Sequence, residues 1–228
     1  MAGRERALIV GAGSGLSAAL ARRCAGDGME VVLAARDTSK LGALVNETGA
    51  TAIACDASRS DAVERLFAAL DGGGNIDLVV YNPSGRARGP VTELDPAAVE
   101  AAIRVTAFGG FLVAQQAARR MIKQGHGTIL FTGASASVKG YPRSSSFAMG
   151  KFALRGLAQS LARELQPQNI HVGHIVIDGA IANPQRTASQ PDALLDPDAI
   201  AQAYLQLHRQ QRSAWAWEIE LRPWVETF

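Results

Sequence analysis

The stretch ALIVGAGSGLS, residues 7–17, decides the fold. Its apolar start is typical of a buried strand, and the glycine-rich turn that follows leads directly into a helical pattern. Phosphate groups bind at the start of such a helix, because its free N–H groups and the positive end of its dipole lie there. Glycine lets the backbone approach a phosphate closely. A glycine turn alone also serves helix packing in many α/β folds, but this order of strand, turn and helix predicts a dinucleotide-binding site.

Short apolar strands alternate with helical patterns along the rest of the chain. The predicted strands cover residues 7–10, 30–35, 51–55, 78–81, 128–132, 171–177 and 217–221. The predicted helices cover residues 15–26, 38–46, 59–70, 95–123, 144–165 and 196–210. Several strands are apolar on both faces, as in a parallel sheet that helices cover on both sides. We therefore expect one α/β domain over residues 1–228, a Rossmann-type doubly wound parallel sheet of about seven strands.

Composition and charge exclude several classes of partner. The chain has 228 residues, of which 47% are hydrophobic and 19% charged, and a formal net charge of +2. No long run of one sign predicts contact with nucleic acid or a membrane surface. Cys24 and Cys55 lack metal-ligand spacing, so we expect buried thiols and no metal site. Residues 1–6 show no targeting pattern and no apolar run approaches a membrane span, so the expected location is cytoplasmic.

The glycine turn resembles that of the short-chain dehydrogenase/reductase family. Gly11 and Gly15 match the first two glycines of the family's turn, and Ser17 takes the place of the third. The small serine is expected to cause a slight adjustment of helix packing. The resemblance implies that the pyrophosphate of a nicotinamide cofactor contacts a group of residues around the turn, namely Gly11, Ser14, Gly15 and Leu16.

The ends of two later strands extend this resemblance. Cys55-Asp56-Ala57 follows the third strand, where the family's Asp-Val pair contacts adenine. Tyr81-Asn82-Pro83-Ser84 follows the fourth strand and resembles the family's Asn-Asn-Ala-Gly. Matches at successive strand ends, in the correct order, make the resemblance more specific than any one motif, and it covers residues 7 to about 223. It implies cofactor contacts from Asp56, Ala57, Asn82 and Pro83.

Arg36 bears on the choice of cofactor. In family members that select NAD, an acidic side chain stands at the tip of the second strand and binds the ribose hydroxyls. Here that place is taken by Ala35, with Arg36 next to it. A guanidinium suits a 2′-phosphate, so the sequence favours NADP(H). Asp37 comes one residue too late for the role of that acidic side chain and is expected at the entry of the next helix, with Thr38 or Asp37 as the N-cap. The alternative for Arg36 is a solvated surface residue.

The family's four working residues, Asn, Ser, Tyr and Lys, are mostly absent. By their local patterns, Thr106 takes the Asn position, Ala134 the Ser position and Phe147 the Tyr position. Only Lys151 is retained. A phenyl ring cannot donate a proton, so the resemblance implies that Lys151 binds the nicotinamide ribose more than it assists catalysis. Ser135 lies one place beyond Ala134, and strand alternation is expected to turn it away from the site.

Asp178 is the most interesting candidate for a replacement acid. It ends the sixth strand, where the family has Pro-Gly beside the nicotinamide, and a partly desolvated carboxyl there would have a raised pKa and could donate a proton. The alternative is an ordinary turn residue before Gly179. Tyr141 is a second candidate, on a loop that borders the substrate in the family.

Two readings of function remain open at this stage. The first is an NADP(H)-dependent oxidoreductase with a degenerate catalytic tetrad, which acts on a carbonyl compound or a conjugated C=C bond. The second is a catalytically inactive NADP(H)-binding sensor, or a regulatory or structural subunit. The loop at residues 183–196 is expected to lie on the substrate side. A homodimer or homotetramer is expected through helices 95–123 and 144–165 and the Trp-rich tail at residues 215–224.

Overall fold

A computed structural model describes residues 4–183, 185–186 and 188–225. Seven parallel strands form one sheet in the order β3-β2-β1-β4-β5-β6-β7. The strands are β1 Arg6–Val10, β2 Glu30–Ala35, β3 Thr51–Ala54, β4 Leu78–Tyr81, β5 Gly127–Thr132, β6 Ile170–Ile177 and β7 Glu218–Leu221. The helices are α1 Leu16–Gly26, α2 Gly42–Thr48, α3 Ser60–Leu70, α4 Pro96–Ile103, α5 Gly109–Gln124, α6 Ser145–Leu165 and α7 Pro197–His208. This architecture confirms the predicted doubly wound parallel sheet.

Apolar side chains cover the sheet on both faces. Alternate residues of β1 divide between the two layers, so that Leu8 and Val10 pack with α3, α5 and α6, whereas Ala7 and Ile9 pack with α1, α2 and α7. This alternation follows from the two-residue repeat of a strand. It also explains why residues 7–10 of β1 are all apolar.

The two cysteines lie one in each layer. Cys24 belongs to the layer of α1 and Cys55 to the layer of α3, and both are free and buried, as predicted. Burial raises the pKa of the Cys24 thiol to about 12 and that of Cys55 to about 11, because a thiolate is poorly solvated there. Neither thiol is therefore ionised near neutral pH.

The order of the strands reverses at β1, which pairs with β2 on one side and β4 on the other. Ligands bind in the crevice that opens outside the carboxyl ends of the strands at such a point. Gly11 follows β1 with a φ of +83°, and a Cβ there would lie 2.8 Å from the ring of Pro83, which follows β4. Only glycine fits both the backbone conformation and this close approach.

The predicted helix over residues 95–123 is interrupted. Pro96–Ile103 and Gly109–Gln124 are α-helical, and a π-helical turn, Arg104–Phe108, joins them. Such turns insert one residue into the helical repeat and occur often at functional sites. Here the turn contains Thr106, one of the positions that the sequence singled out.

The same helical stretch corrects an expectation about apolar length. Pro96–Gln124 is long and apolar enough to cross a membrane by length and composition alone, so the prediction that no apolar run reaches that length is wrong. Its buried side chains, among them Val113, Ala117 and Met121, pack in the layer with α3 and α6. A helix that covers a sheet passes the same test, and the stretch is weak support for a membrane location. The cytoplasmic location stays a prediction.

Candidate functional site

The glycine turn presents the start of α1 to the crevice. Gly15 is the N-cap, no side chain caps the helix, and its first turn carries no acidic residue. A Cβ placed on Gly13 or Gly15 would meet no atom within 4 Å, so the turn faces open space and not packed protein. The uncapped N–H groups, the helix dipole and this space fit a phosphate group. Ser14 is exposed beside them.

Ser17 does more than replace a glycine. It is buried, its hydroxyl donates to the carbonyl of Gly11 at 3.0 Å, and it accepts from the amide nitrogen of Asn82 at 2.7 Å. This chain of bonds ties the turn after β1 to the end of β4. The sequence predicted only a small packing adjustment, because hydrogen bonds between distant segments leave no local pattern.

A cavity of about 270 Å³ adjoins the turn on the side of β2 and β3. It brings together six residues that the sequence predicted as cofactor ligands: Gly11, Arg36, Asp56, Ala57, Asn82 and Pro83. Asn82 and Ser84 also line a larger cleft at the ends of β4, β5 and β6, so the two cavities are neighbours. The arrangement suits a ligand that extends from one cavity into the other across the glycine turn.

The neighbouring side chains of Arg36 and Asp37 make different contacts. The Asp37 carboxylate accepts from the Ser39 N–H at 3.0 Å and from the Ser39 hydroxyl at 2.6 Å, so it stabilises the turn that leads into α2, as expected. These bonds lower the pKa of Asp37. The exposed guanidinium of Arg36 has no ion-pair or hydrogen-bond partner in the part of the chain that the structure describes. It is therefore available to an anionic ligand.

Asp56 is held in place locally. Its carboxylate accepts from the N–H of Ser58 at 3.0 Å and from the Ser58 hydroxyl at 2.7 Å. The hydroxyl bond, above all, lowers the pKa of Asp56, and the charge of Arg36 contributes further. The carboxylate is therefore ionised and fixed at the wall of the smaller cavity.

The larger cleft, of about 590 Å³, opens at the carboxyl ends of β4, β5 and β6. Its lining includes Leu16 from the start of α1, Ala134 and Ser135 after β5, and Phe147 and Lys151 from α6. Phe147 and Lys151 lie four residues apart and so share a helix face. Ser135, which alternation was expected to turn away, does line the cleft, because β5 ends at Thr132 and a 3₁₀ turn begins at Ser135.

Lys151 is buried to 3% exposure. Its Nζ donates to the carbonyl oxygen of Thr132 at 2.6 Å, and the Thr132 hydroxyl in turn accepts from Tyr204 at 2.8 Å. Burial lowers the pKa of Lys151 to about 7, and the charge of Arg86 contributes in the same direction. The ammonium group thus gains and loses its proton near neutral pH, at the wall of the cleft.

Phe147 lies beneath a cation that sequence reasoning missed. The guanidinium carbon of Arg86 is 3.7 Å from the centre of the Phe147 ring, and the Phe147 side chain is mostly buried. Cations are attracted to the face of an aromatic ring at this separation. In the sequence, Arg86 lies only two residues beyond the motif at 81–84, but nothing there indicates the contact with Phe147.

Thr106 is fully buried in the π-helical turn and does not line the cleft. Its hydroxyl accepts from the N–H of Gly85 at 2.9 Å. A Cβ on Gly85 would lie 2.5 Å from the backbone of Ala102, so the segment runs directly against the helix. Thr106 therefore holds the loop after β4, one residue before Arg86.

The comparisons with known proteins identify the family. Residues 5–192 match the family described as short chain dehydrogenase. The chain belongs to the short chain dehydrogenase family. It is 31% identical over 175 residues to the 3-oxoacyl-[acyl-carrier-protein] reductase MabA of Mycobacterium tuberculosis, which is 76% of this chain and 68% of that protein. It is 30% identical to the short chain aldehyde dehydrogenase 1 of Euphorbia lathyris, over 85% of this chain and 69% of that protein.

Solved structures agree with this assignment. A short-chain dehydrogenase from Rhodopseudomonas palustris is 34% identical with a TM-score of 0.84, and the match covers 97% of this chain and all of that one. A metagenomic short-chain oxidoreductase in complex with NADP is 29% identical with a TM-score of 0.85, over 96% of this chain and 97% of that one. The chain thus matches a short-chain dehydrogenase fold over nearly all of its length.

Asp178 does not line the cleft of this short chain dehydrogenase, although its neighbours Ile177 and Gly179 do. Its buried carboxylate lies 2.8 Å from the guanidinium of Arg222 and 3.3 Å from the ammonium of Lys139. Its N–H donates to the carbonyl of Leu221. These contacts favour a structural role over proton donation, which stays an untested prediction.

Among the described residues of the substrate-side loop, Asn183 and Arg186 line the cleft. Tyr141, on the loop after β5, lines it as well. A parallel bridge between Ile181 and Leu195 closes the base of the loop. Two members of the predicted 183–196 segment, Pro184 and Thr187, lie outside the described residues.

Proposed function

We propose that this short chain dehydrogenase is an NADP(H)-dependent oxidoreductase that acts on a small carbonyl compound or conjugated C=C bond without a tyrosine proton donor. The observation that supports the proposal is a pair of neighbouring cavities, both lined by Asn82 and Ser84. They run from Arg36 past the glycine turn to Lys151, in the order in which the parts of a dinucleotide would need them.

Each part of the cofactor has a matching group of residues. The turn formed by Gly11, Ser14, Gly15 and Leu16 would hold the pyrophosphate. Asp56, Ala57, Asn82 and Pro83 would surround the adenosine, and Arg36 would bind the 2′-phosphate. Lys151 would bind the nicotinamide ribose. When bound, the cofactor supplies the hydride, and the protein supplies orientation and charge.

The protein's own contribution departs from the family pattern at three positions. Thr106, Ala134 and Phe147 stand where the resemblance places Asn, Ser and Tyr, so neither the tyrosine hydroxyl nor the serine hydroxyl is available. Lys151 remains, bound to the Thr132 carbonyl and with its pKa lowered to about 7. The anion formed by hydride transfer would therefore be stabilised by a positive charge and not by a phenol, and it would take its proton from the Lys151 ammonium or from water.

The test has two steps. The fluorescence of NADPH is titrated with protein under anaerobic conditions, first with the native chain and then with Lys151→Met. Native binding that Lys151→Met weakens at least tenfold supports the cofactor assignment. A turnover screen on ketones and enones follows. Binding without any turnover would reject the oxidoreductase proposal and leave a non-catalytic NADP(H)-binding protein; no binding of NADPH would reject both.

We also propose that the chain forms a homodimer or homotetramer through α5 and α6. Five large apolar side chains are exposed on these helices and the π-helical turn between α4 and α5: Phe108, Phe111, Ile122, Met149 and Phe152. In the tail, Trp215 stacks on His171 at 4.6 Å and Trp217 packs on Arg155, so these two rings are used within the subunit, whereas Trp224 is exposed. Light scattering after gel filtration tests the proposal, and a monomer of 24.0 kDa at micromolar concentration would reject it.

A further inference from the structure

The cleft beside Phe147 is cationic. Arg86, Lys151 and Arg186 line it, and no Asp or Glu belongs to its lining among the described residues. Arg86 comes from the loop after β4 and Arg186 from the loop after β6, so two guanidinium groups reach the cleft from separate elements. A cleft with one sign of charge attracts ligands of the opposite sign.

Hydrogen bonds hold the backbone on both sides of Arg86. Gly85 donates its N–H to the Thr106 hydroxyl at 2.9 Å. Ala87 donates its N–H to the Ser146 hydroxyl at 2.9 Å, and that hydroxyl donates back to the Ala87 carbonyl at 2.8 Å. Thr106 and Ser146 are both completely buried. The segment that carries Arg86 is therefore held between the π-helical turn and the start of α6.

The Arg86 side chain is oriented but not neutralised. Its guanidinium stacks at 3.7 Å on Phe147, and this face-on contact leaves the N–H groups at its edge unused. No carboxylate or carbonyl among the residues that the structure describes pairs with it. Arg86 is exposed at the cleft, and partial desolvation together with the charges of Arg88 and Arg186 lowers its pKa, so the positive charges here repel one another. An ion of opposite charge would relieve that repulsion.

The start of α6 adds to the positive potential. Ser144 is the N-cap and lines the cleft, no side chain caps this helix of 21 residues, and its first turn contains no acid. Arg186 lines the cleft from the loop after β6, where its Nη1 donates to the carbonyl of Ile181 at 3.1 Å. Both features favour an anion next to Arg86.

We propose that Arg86 is the substrate-anchoring residue, and that the cleft takes substrates with an anionic group, a carboxylate or a phosphate, close to the carbon that reacts. This proposal rests on the proposed oxidoreductase function and adds the class of substrate. Thr106 and Phe147, which depart from the family pattern, both serve here to place the Arg86 guanidinium. A planar guanidinium binds such oxyanions through two parallel hydrogen bonds.

The test measures binding of simple anions directly. Oxalate and inorganic phosphate are titrated into the protein by calorimetry, with and without saturating NADP⁺, and oxamide serves as the neutral counterpart of oxalate. We expect binding of one or both anions and no binding of oxamide. Arg86→Gln is expected to weaken that binding at least tenfold, and Arg86→Lys to recover part of it. Which of the two probes binds distinguishes a carboxylate from a phosphate site.

Arg88→Gln is the matched control. It removes the same charge two residues further on, where the exposed side chain does not line the cleft. It is expected to change anion affinity less than threefold. An equal loss of anion affinity in Arg86→Gln and Arg88→Gln would show that the effect comes from net charge alone, and would overturn the proposal. Native affinity for oxamide as high as for oxalate would also overturn it.

A titration followed by NADPH fluorescence distinguishes failure of this proposal from failure of the proposed function. If Arg86→Gln weakens NADPH binding as much as anion binding, Arg86 belongs to the cofactor site and the proposal is wrong. If the native chain binds oxalate or phosphate through Arg86 but not NADPH, the oxidoreductase function fails and the anion site stands. Phe147→Leu removes the ring under the guanidinium. This variant is expected to weaken anion binding severalfold and to leave the NADPH affinity nearly unchanged.

Discussion

Arg36 is the residue on which the choice between the two nicotinamide cofactors depends. Its exposed guanidinium has no partner among the described residues and lines the same cavity as Asp56. A charge-assisted hydrogen bond to a 2′-phosphate contributes about 1.5–3 kcal/mol, so Arg36→Ala should lower NADPH affinity by about tenfold or more and leave NADH affinity nearly unchanged. Arg65→Ala, which removes an exposed arginine paired with Asp61, is the control. Equal affinity of the native chain for both nucleotides would contradict the assignment.

Phe147 and Ala134 are the positions at which the tyrosine and serine that the family resemblance implies can be introduced. Phe147→Tyr places a phenol four residues before Lys151, and Ala134→Ser adds a hydroxyl at the end of β5. We expect the double variant to gain detectable reduction of simple ketones over the native chain, measured by NADPH consumption. The new phenol lies beneath Arg86, whose charge should lower its pKa. Native turnover of the same ketones at the rate of the double variant would show that the native acid had been misplaced.

Asp178→Asn separates the two readings of Asp178. The Asp178 carboxylate is paired with Arg222 and Lys139, so the substitution should lower the free energy of unfolding by about 1–3 kcal/mol. It should leave NADPH binding and the pH dependence of any turnover unchanged. If the pH dependence disappears while binding persists, Asp178 is the proton donor after all. Urea denaturation and a pH–rate profile of both proteins provide the two measurements.

At the residue scale, the sequence could predict the candidate site residues that belong to local motifs. The candidate ligands at strand ends, such as Asp56 and Asn82, were predicted from the family resemblance of short motifs, and the structure brings them to one cavity because parallel strands end at one edge of the sheet. Arg86 did not follow, because its place depends on three bonds from Thr106 and Ser146 and on a ring contact across the cleft. No local pattern records contacts between segments about 20 to 60 residues apart.

At the scale of elements, the junction between the ends of β1 and β4 has a direct test. Gly11 and Gly28 have nearly the same φ, +83° and +84°, but only Gly11 lies against another segment, since a methyl group added to its Cα would lie 2.8 Å from the Pro83 ring. Gly28→Ala should therefore cost only the left-handed strain, about 1–2 kcal/mol. Gly11→Ala should cost more and also weaken NADPH binding. Urea denaturation and NADPH titration measure both effects, and equal losses in the two variants would contradict the steric argument.

The long helix shows where periodicity stops being informative. Residues 95–123 keep an apolar face throughout, so the sequence predicts one helix, and its ends agree with α4 and α5 to within one residue. The π-helical turn at Arg104–Phe108 has no signature in the pattern. It arises where Gly85 and Tyr81, whose hydroxyl donates to the carbonyl of Val105, meet the helix. Tertiary hydrogen bonds thus decide the feature that turns Thr106 inward.

For the whole molecule, buried bases give a pH dependence of stability in two separate windows, histidines in the first and Lys151 in the second. Burial lowers the pKa of His208 to about 4, from 6.5, and that of Lys151 to about 7, from 10.5. Burial lowers the pKa of His174 as well, since desolvation outweighs the charge of Glu218. Between the folded and unfolded values, the unfolded chain binds a proton that the folded chain does not, so the free energy of unfolding rises with pH by about 1.4 kcal/mol per unit for each group.

The first window runs from about pH 4 to 6.5 and the second begins near pH 7. Urea denaturation of the cofactor-free protein should show stability rising through the first window, and again from pH 7 to about 8.5, below the range in which unfolded thiols ionise. His208→Gln should reduce the slope in the first window only, and Lys151→Met in the second only, so each variant is the control for the other. If Lys151→Met leaves the slope above pH 7 unchanged, Lys151 is charged in the folded protein at that pH. The role of Lys151 would then be that of a permanent cation, which binds the cofactor at any pH in this range.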